Sequence, residues 1–171
     1  MNYLTELLNS THNRKDFSCG KSMLDSYLYN QAGQDVKRKL SACFVLNDMG
    51  TNHIKGYYTL SNSSIPIELI PESFRKKLPK SYSAIPTTLL GRLAVDSRFQ
   101  GLKLGRFLLI DALKRSYEIS ESIGSFAVIV DPLDDEAKKF YLQYGFIELP
   151  DSGKMFLPMN TIKQLMEKLM R

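Results

Sequence analysis

The alternation of apolar and polar residues predicts strands and helices in turn along the chain. Short stretches rich in apolar, β-branched and aromatic residues predict strands at residues 41–48, 53–65, 84–95, 125–131 and 154–159. The remaining sequence predicts helices within residues 19–40, 71–78, 102–122, 134–146 and 160–169. Strands and helices that alternate in this way predict a mixed α/β fold.

Single residues mark where the first predicted helices run. Met23, Leu24, Tyr27 and Leu28 lie at helical spacing, and Gly33 predicts a break between two short helices.

The later helices have their own signals. Gly145 is a natural stop for the helix within residues 134–146, and Asn160 is expected to cap a tail helix. The apolar face of that tail helix contains Ile162, Leu165, Met166 and Leu169. It either covers the sheet, which is the more frequent outcome, or serves self-association or a protein partner.

The helix within residues 102–122 is apolar over a wide arc. Its apolar positions are Leu104, Phe107, Leu108, Leu109, Ala112, Leu113 and Tyr117. An arc of this width predicts a heavily buried helix rather than a narrowly amphipathic one. On the strand at residues 53–65, Tyr57 and Tyr58 point to opposite faces, so at most one of them is expected to face a substrate groove.

Composition narrows the class of protein. A chain of 171 residues with 43% hydrophobic residues fits one domain over residues 1–171. No stretch approaches the ~20 apolar residues of a membrane span, and the first residues lack the pattern of a secretory signal, so a cytoplasmic protein is expected. Cys19 and Cys43 are expected to be reduced core residues. His12 and His53 have no partner at ligand spacing, so no metal site is expected.

Charge adds a preference for anionic partners. Lys and Arg total 23 against 18 for Asp and Glu, which gives a net charge of +5. A moderately basic protein attracts polyanions, although composition does not choose among them. The cations cluster at residues 37–39, at residues 75–80 and again from residue 92 to residue 106.

The third cluster contains the stretch VDSRFQGLKLGRFLLIDAL at residues 95–113. A helix that begins beside Gly101 leaves its first N–H groups without intrahelical partners, and glycine lets a ligand approach the main chain. These features predict an anion site. The spacing fits neither the Walker loop nor the dinucleotide-binding fingerprint, because the required Gly-Lys-Ser/Thr ending and the third glycine are missing.

This stretch resembles the acyl-coenzyme A loop of the GNAT N-acetyltransferases. Their pattern is Gln or Arg, two residues, Gly, one residue, and Gly or Ala; Gln100 and Gly105 match it, and Lys103 replaces the middle glycine. The sequence AKKFYLQYGF at residues 137–146 is similar to the family's Ala-x-x-Phe-Tyr-x-x-x-Gly-Phe signature. The resemblance implies a GNAT acyltransferase fold, with a mostly antiparallel central sheet whose strands splay apart and are flanked by helices.

The resemblance also implies acetyl-CoA as the cofactor and acetyl donor, and a set of site residues. Tyr141 matches the family's general acid; its competing interpretation is a core tyrosine with a hydrogen-bonded hydroxyl. The residues expected at the cofactor are Leu93, Ala94, Val95, Gln100, Gly101, Leu102, Lys103, Leu104, Gly105 and Arg106. The side chain of Lys103 either adds charge at the pyrophosphate or points to solvent.

The stretches FSCGKSMLDSYLYNQAGQD at residues 17–35 and IKGYYTLSNSSI at residues 54–65 are similar to the TacT-type toxins of the same family, and this resemblance runs from about Asp16 to Leu157. Those enzymes are made with a ribbon-helix-helix antitoxin and acetylate the amino group of aminoacyl-tRNA, which stops translation. The resemblance implies such a substrate and such an antitoxin for this chain, while a homodimer is left open. The cations expected to bind the substrate are Arg92, Lys37, Arg38, Arg75, Lys76 and Lys77, and Arg92 is the foremost of them.

Two other functions remain open from the sequence. An ordinary GNAT enzyme would acetylate a small amine or a protein N-terminus, and an acidic pocket or a smaller basic surface would be expected. A non-catalytic binding module with a degenerate cofactor loop would explain why Lys103 stands where the family pattern has a glycine. No residue stands out as a general base, and an α-amino group, with a pKa of about 7.7–8.0, is already partly neutral at pH 7, unlike a lysine side chain.

Overall fold

The computed structural model describes residues 3–171, so Met1 and Asn2 of the expected domain lie outside the described residues. The strands are β1 (Glu6–Leu7), β2 (Ala42–Asn47), β3 (Ile54–Pro66), β4 (Ala84–Val95), β5 (Ala127–Val130), β6 (Ile147–Glu148) and β7 (Met155–Pro158). The helices are α1 (Ser22–Asn30), α2 (Ala32–Arg38), α3 (Glu72–Arg75), α4 (Leu104–Ser120), α5 (Asp135–Leu142) and α6 (Met159–Leu169). The alternation expected from the sequence is confirmed.

The strands form one hydrogen-bonded sheet in the order β1-β2-β3-β4-β5-β7-β6. The β1/β2, β2/β3, β5/β7 and β6/β7 pairs are antiparallel, and β4 and β5 are parallel. The parallel register covers Thr87 to Leu89 of β4, and β4 itself continues to Val95. The far end of β4 therefore runs on beyond the residues that pair with β5.

Contacts divide the chain into two compact units. The first contains the described residues up to Ser61 together with Leu90–Leu113, and the second contains Asn62–Leu89 and Lys114–Arg171. A single domain over residues 1–171 stays a prediction. Across residues 3–171, no helix has the length and apolar character needed to span a bilayer.

The core of the first unit lies between α1, α2 and the β2–β3 hairpin. Its fully buried members include Phe17, Leu28, Val45 and Tyr57. Gly56 of β3 is required here, because a Cβ at this position would lie 2.7 Å from Leu108 Cδ1 and 2.9 Å from the Ala94 carbonyl oxygen. Close packing at Gly56 thus fixes where α4 and the end of β4 meet β3.

The core of the second unit is packed against residues 66–79, a segment that contains Pro66, Pro71 and Pro79. Ile65, Ile70 and Ile85 pack with Phe156 of β7. Phe74 of α3 contacts Phe156 edge-on, with ring centroids 5.3 Å apart. Burial of Phe74 anchors this short helix, which has too few residues to be stable alone.

The break between the first two helices differs from the prediction. The chain breaks at Gln31, with φ of −124°, and Gly33 lies inside α2. The helical spacing is confirmed by α1, in which Tyr27 and Leu28 are buried and Met23 is 62% exposed. Gly33 has a packing role instead, because a Cβ there would meet the Arg14 guanidinium at 3.0 Å.

Helix α4 begins later than predicted, at Leu104 rather than Leu102, and ends at Ser120. Leu108, Leu109, Ala112 and Leu113 are buried as expected. Phe107 is 49% exposed, so the buried arc is narrower than the sequence indicates.

Helix α6 is preceded by Pro158, so Asn160 is not its cap. Ile162 is buried, whereas Leu165 and Met166 are half-buried and Leu169 is exposed. Only the first turn of this face is therefore covered by the described chain.

Tyr57 and Tyr58 are both fully buried, so neither faces a groove. The Tyr57 hydroxyl donates to the Leu24 carbonyl at 2.8 Å, and the Tyr58 hydroxyl donates to Asp111 at 2.8 Å. Both cysteines are free and buried, as expected, and burial raises the pKa of the Cys43 thiol to about 12. They are core residues rather than nucleophiles.

Candidate active site

A buried carboxylate supports the turn between β4 and α4. Asp96 is 1% exposed and follows directly after β4. Its oxygens accept from Arg98 Nε at 2.9 Å, from Arg98 Nη2 at 3.0 Å, and from the backbone N–H groups of Arg98 and Ser18 at 2.9 and 3.2 Å. The turn is thereby tied to the segment around Ser18, far away in sequence.

These bonds determine the charge state of Asp96. Burial raises the pKa of the carboxyl, but the hydrogen bonds from the Arg98 side chain and from the N–H groups of Arg98 and Ser18 outweigh that effect. The pKa of Asp96 therefore lies below its ordinary value, and the carboxylate is ionised at neutral pH.

Gln100 extends the same support with its side chain. Its Nε2 donates to the carbonyl oxygens of Cys19 and Val95, both at 3.0 Å. The side-chain amide thus holds the loop in place from within the protein. The first position of the GNAT pattern has a positioning role here, while its predicted role at the cofactor stays a prediction.

The backbone of the following loop takes conformations that favour glycine. Gly101 has φ of 82° and Lys103 has φ of 61°. A lysine in this region is strained by about 1–2 kcal/mol, whereas glycine is not. Lys103 therefore has a left-handed backbone conformation that glycine adopts without strain, and its side chain is exposed.

The same loop presents a row of open hydrogen-bond donors. Among the described residues, the N–H groups from Gly101 to Arg106 have no acceptor. A Cβ at Gly101 would meet no atom within 4 Å, so the space in front of this residue is open. Backbone donors that converge at the start of a helix form an anion site, and the helix dipole adds to it.

Three of the residues expected at the cofactor, Leu93, Ala94 and Val95, lie at the end of β4. Ala94 is buried, and Leu93 and Val95 are half-buried. The N–H group of the next residue, Asp96, donates to the Lys55 carbonyl at 2.9 Å, which holds this strand end against β3. The structure thus brings residues 93–95 and the loop of residues 100–106 together at the end of β4. These are the ten residues predicted at the cofactor.

Arg92 lies two positions before Ala94 on β4 and is half-buried. Its guanidinium carbon is 3.5 Å from the centroid of the Tyr27 ring of α1. That distance is within the range of a cation–π contact. The sequence indicated Tyr27 only as part of the helical spacing within residues 19–40.

The other predicted cations are exposed. Lys37 and Arg38 end α2 in the first unit, and the second-unit group, which we call the α3 cations, contains Arg75, Lys76 and Lys77. Within residues 3–171, none of the five is in an ion pair. They are free to meet an anionic surface.

Tyr141 of α5 is 7% exposed in the second unit. Its ring packs against Phe140 and Phe146, with centroids 5.3 and 5.2 Å away. Within residues 3–171 its hydroxyl has no hydrogen-bond partner. Burial raises the pKa of this hydroxyl above that of an ordinary tyrosine, which is itself protonated at neutral pH. Tyr141 is thus buried, as the competing interpretation of a core tyrosine expects, but without the hydrogen bond of that interpretation, and the general-acid role stays a prediction.

Sequence reasoning missed the supporting residues of the site. Asp96 and Arg98 stood two positions apart beside the motif, which was a usable signal for a local carboxylate–guanidinium pair. The bond from Gln100 to Cys19 and the contact of Arg92 with Tyr27 join distant segments, so no local signal could reveal them.

Comparison with known proteins agrees with this geometry. A family model described as "Acetyltransferase (GNAT) domain" matches residues 82–161. The chain is 38% identical over 130 residues to the "tRNA-acetylating toxin" of Mycobacterium tuberculosis, covering 76% of this chain and 75% of that protein. It is 31% identical over 163 residues to the "Probable toxin TacT" of Sinorhizobium fredii, covering 91% and 90%.

Solved structures show the same fold. AtaT complexed with acetyl-methionyl-tRNAfMet superposes with a TM-score of 0.88 at 28% identity, covering 96% of this chain and 99% of that one. A mutant AtaT toxin bound to the C-terminus of the antitoxin AtaR and acetyl-CoA gives a TM-score of 0.79 at 25% identity, covering 95% and 96%. The expected GNAT fold is confirmed.

The residues that the family model matches include both the loop of residues 100–106 and the Phe-Tyr helix α5. The expected enzyme class, an N-acetyltransferase that uses acetyl-CoA, is confirmed by the family match. The chain belongs to the GNAT acetyltransferase family and is similar to its tRNA-acetylating, TacT-type toxins.

Proposed function

We propose that this protein transfers an acetyl group from acetyl-CoA to the amino group of aminoacyl-tRNA and so inhibits translation. The relatives named as tRNA-acetylating toxins and the tRNA-bound AtaT structure support this substrate. The observation that carries the proposal is the row of open N–H groups from Gly101 to Arg106, held in place by Asp96 and Gln100.

The residues of the loop fit the pyrophosphate of acetyl-CoA. Open backbone donors, the start of α4 and the exposed cations Lys103 and Arg106 all favour a doubly charged anion. The glycine conformation at Lys103 removes the main reason to regard the loop as degenerate. When bound, acetyl-CoA supplies an activated acetyl thioester.

Tyr141 suits the role of general acid. During transfer an N–C bond forms, the C–S bond breaks, and the departing sulfur takes up a proton. The Tyr141 hydroxyl holds a proton at neutral pH, as an ordinary tyrosine does, and no acceptor within residues 3–171 competes for it. Burial raises its pKa further, which does not strengthen it as an acid, so the proposed role rests on its position in the motif. A positioned acid of this kind contributes about 10²–10⁴-fold to a rate.

The substrate amine needs little help to lose its proton. An α-amino group has a pKa of about 7.7–8.0, and esterification of the neighbouring carboxyl lowers it further. A substantial neutral fraction therefore exists at pH 7 without a dedicated base. The released proton goes to solvent.

The exposed cations supply sequence-independent grip on the nucleic acid. Lys37, Arg38 and the α3 cations are unpaired within residues 3–171 and are matched in chemistry to phosphates. Of the predicted substrate-binding cations, Arg92 is the nearest in sequence to the loop of residues 100–106, and we propose that it binds near the acceptor end of the tRNA. Binding through these groups weakens as the salt concentration rises.

The setting of the reaction follows from its substrate. Aminoacyl-tRNA is used in the cytoplasm, where we place the protein. The AtaT structure with the antitoxin AtaR supports an antitoxin partner for this chain as well. A ribbon-helix-helix antitoxin and a homodimer both stay predictions.

The test of function is acetylation of aminoacyl-tRNA by the purified protein, read by mass spectrometry of the recovered tRNA. Tyr141→Phe removes only the hydroxyl and is expected to lower kcat by at least about 10²-fold. Tyr144→Phe, in the same segment, is the matched control and leaves kcat unchanged. Normal kcat in Tyr141→Phe would exclude the acid role.

Two further measurements separate the alternatives. Calorimetric titration with acetyl-CoA is expected to show binding, and its absence would leave only a binding module. Induced expression is expected to arrest growth, and Tyr141→Phe to relieve the arrest. Normal growth with soluble, acetyl-CoA-binding wild-type protein would instead favour a small-amine acetyltransferase.

A further inference from the structure

The Arg92 guanidinium lies over the ring of Tyr27, at the distance of a stacked pair. The guanidinium carbon lies 3.5 Å from the ring centroid, which is close to the thickness of an aromatic ring. A planar guanidinium stacks on aromatic faces in a way that a lysine ammonium cannot. The pair joins β4 to α1 within the first unit.

Tyr27 is itself held firmly. Its hydroxyl donates to Asp35 Oδ2 at 2.9 Å, and its ring stacks with Tyr57 at a centroid distance of 6.4 Å and an interplanar angle of 19°. Tyr57 is anchored in turn to the Leu24 carbonyl. Tyr27 is 5% exposed, so its ring is a fixed platform rather than a mobile surface side chain.

The edge of the Arg92 guanidinium remains open. Within residues 3–171 its N–H groups make no hydrogen bond and no ion pair. Asp35, a nearby buried carboxylate, is bonded to Tyr27 and Gln31 rather than to Arg92. The Tyr27 ring thus contacts one face of the guanidinium, while its five N–H donors make no bond within residues 3–171. A planar set of unused donors matches the oxygens of a phosphate.

Resting on the proposed function, we propose that Tyr27 is a positioning residue for Arg92. Tyr27 holds the guanidinium so that its open edge binds a phosphate of the aminoacyl-tRNA. Tyr27 does not contact the reacting atoms; it acts through Arg92 and affects the KM for tRNA rather than kcat. Asp35 stabilises the platform by accepting the Tyr27 hydroxyl.

The experiment is a double-mutant cycle of Tyr27→Leu and Arg92→Ala, with KM for one purified aminoacyl-tRNA as the readout. Each single change is expected to raise KM about tenfold with little change in kcat. The double variant is expected to stay near tenfold, because Tyr27 has nothing left to position. An increase near a hundredfold would mean that the two act independently and would overturn the inference.

Two controls keep the cycle interpretable. Tyr27→Phe keeps the stacked ring but removes the bond to Asp35, so it is expected to raise KM less than Tyr27→Leu does. Arg171→Ala removes one positive charge at the end of the chain and is expected to leave KM unchanged. Acetyl-CoA affinity, measured by calorimetry, shows that each variant is folded.

Arg92→Lys gives a readout that does not depend on the folding of Tyr27→Leu. Lysine keeps the charge but cannot stack and present a planar edge, so KM is expected to rise several-fold. Unchanged KM in Arg92→Lys would show that charge alone suffices and would overturn the inference. Wild-type protein that acetylates no aminoacyl-tRNA would overturn the proposed function and this inference together.

Discussion

Two neighbouring segments of the first unit, residues 96–100 and residues 101–106, differ in how their polar groups are hydrogen-bonded. From Asp96 to Gln100, side chains are bonded to the protein's own groups, including carbonyls of residues about eighty positions away in sequence. From Gly101 to Arg106, the backbone N–H groups have no acceptor within residues 3–171. The polar side chains of the first segment are hydrogen-bonded within the protein, whereas the N–H groups of the second are available to a ligand.

The difference explains how a short loop can bind a charged ligand without a large reorganisation. Donors held in place before binding do not lose conformational freedom when the ligand arrives. The first segment provides that rigidity, and the second provides the bonds. Variants that disturb the support should therefore behave differently from variants that disturb the donors.

The strongest way to break the comparison is to remove the buried carboxylate of the support. Asp96→Ala leaves the N–H groups of Ser18 and Arg98 without their acceptor and is expected to lower the free energy of unfolding by about 2–4 kcal/mol. Urea unfolding measures the loss, and Asp135→Ala, an exposed acidic residue, is the control with a change below about 1 kcal/mol. A similar loss in both variants would contradict the assigned support.

A smaller effect is expected from the first open donor. Gly101→Ala forces a side chain into φ of 82° and costs about 1–2 kcal/mol, while its Cβ meets open space. Acetyl-CoA affinity is expected to fall about tenfold in calorimetry as the loop adjusts. Gly124→Ala is the control, because its Cβ also meets no atom within 4 Å but its φ is ordinary. Equal affinity in both would remove Gly101 from the site.

Lys103→Gly sharpens the comparison further. The change relieves left-handed strain and is expected to raise the free energy of unfolding by no more than about 1 kcal/mol. Lys39→Gly is matched to it, because Lys39 has φ of 60° at the end of α2. If only Lys103→Gly weakens acetyl-CoA binding, the lysine charge contributes there; unchanged binding means that the side chain points to solvent.

The smallest effect is a pH dependence of the support. The pKa of Asp96 is lowered in the folded protein, so its contribution to stability is present above the unfolded pKa of about 3.9 and is lost as the pH falls through the folded value. The difference in unfolding free energy between wild type and Asp96→Asn is therefore expected to be constant from pH 7 to 5 and to shrink below about pH 4. A difference that grows in acid would have the wrong sign.

Much of the fold was predictable because its signals are local. Periodicity located the strands β2 to β5 and the helices α4 and α5, and the loop pattern with the Phe-Tyr helix identified the family. The details that differed were helix ends, at Gly33 and Asn160, and one helix face, at Phe107. Helix ends depend on capping and packing with other segments, which local patterns describe poorly.

The sequence by itself determined the order of the elements, the cofactor loop and the tyrosine that matches a general acid, because each is encoded by neighbouring residues. Only the tertiary structure decided that Tyr141 lacks a partner within residues 3–171, that Gln100 is bonded to Cys19, and that Arg92 lies on Tyr27. Those facts depend on contacts between residues that are distant in sequence. Such contacts form only when the hydrophobic core packs, so local sequence patterns do not predict them.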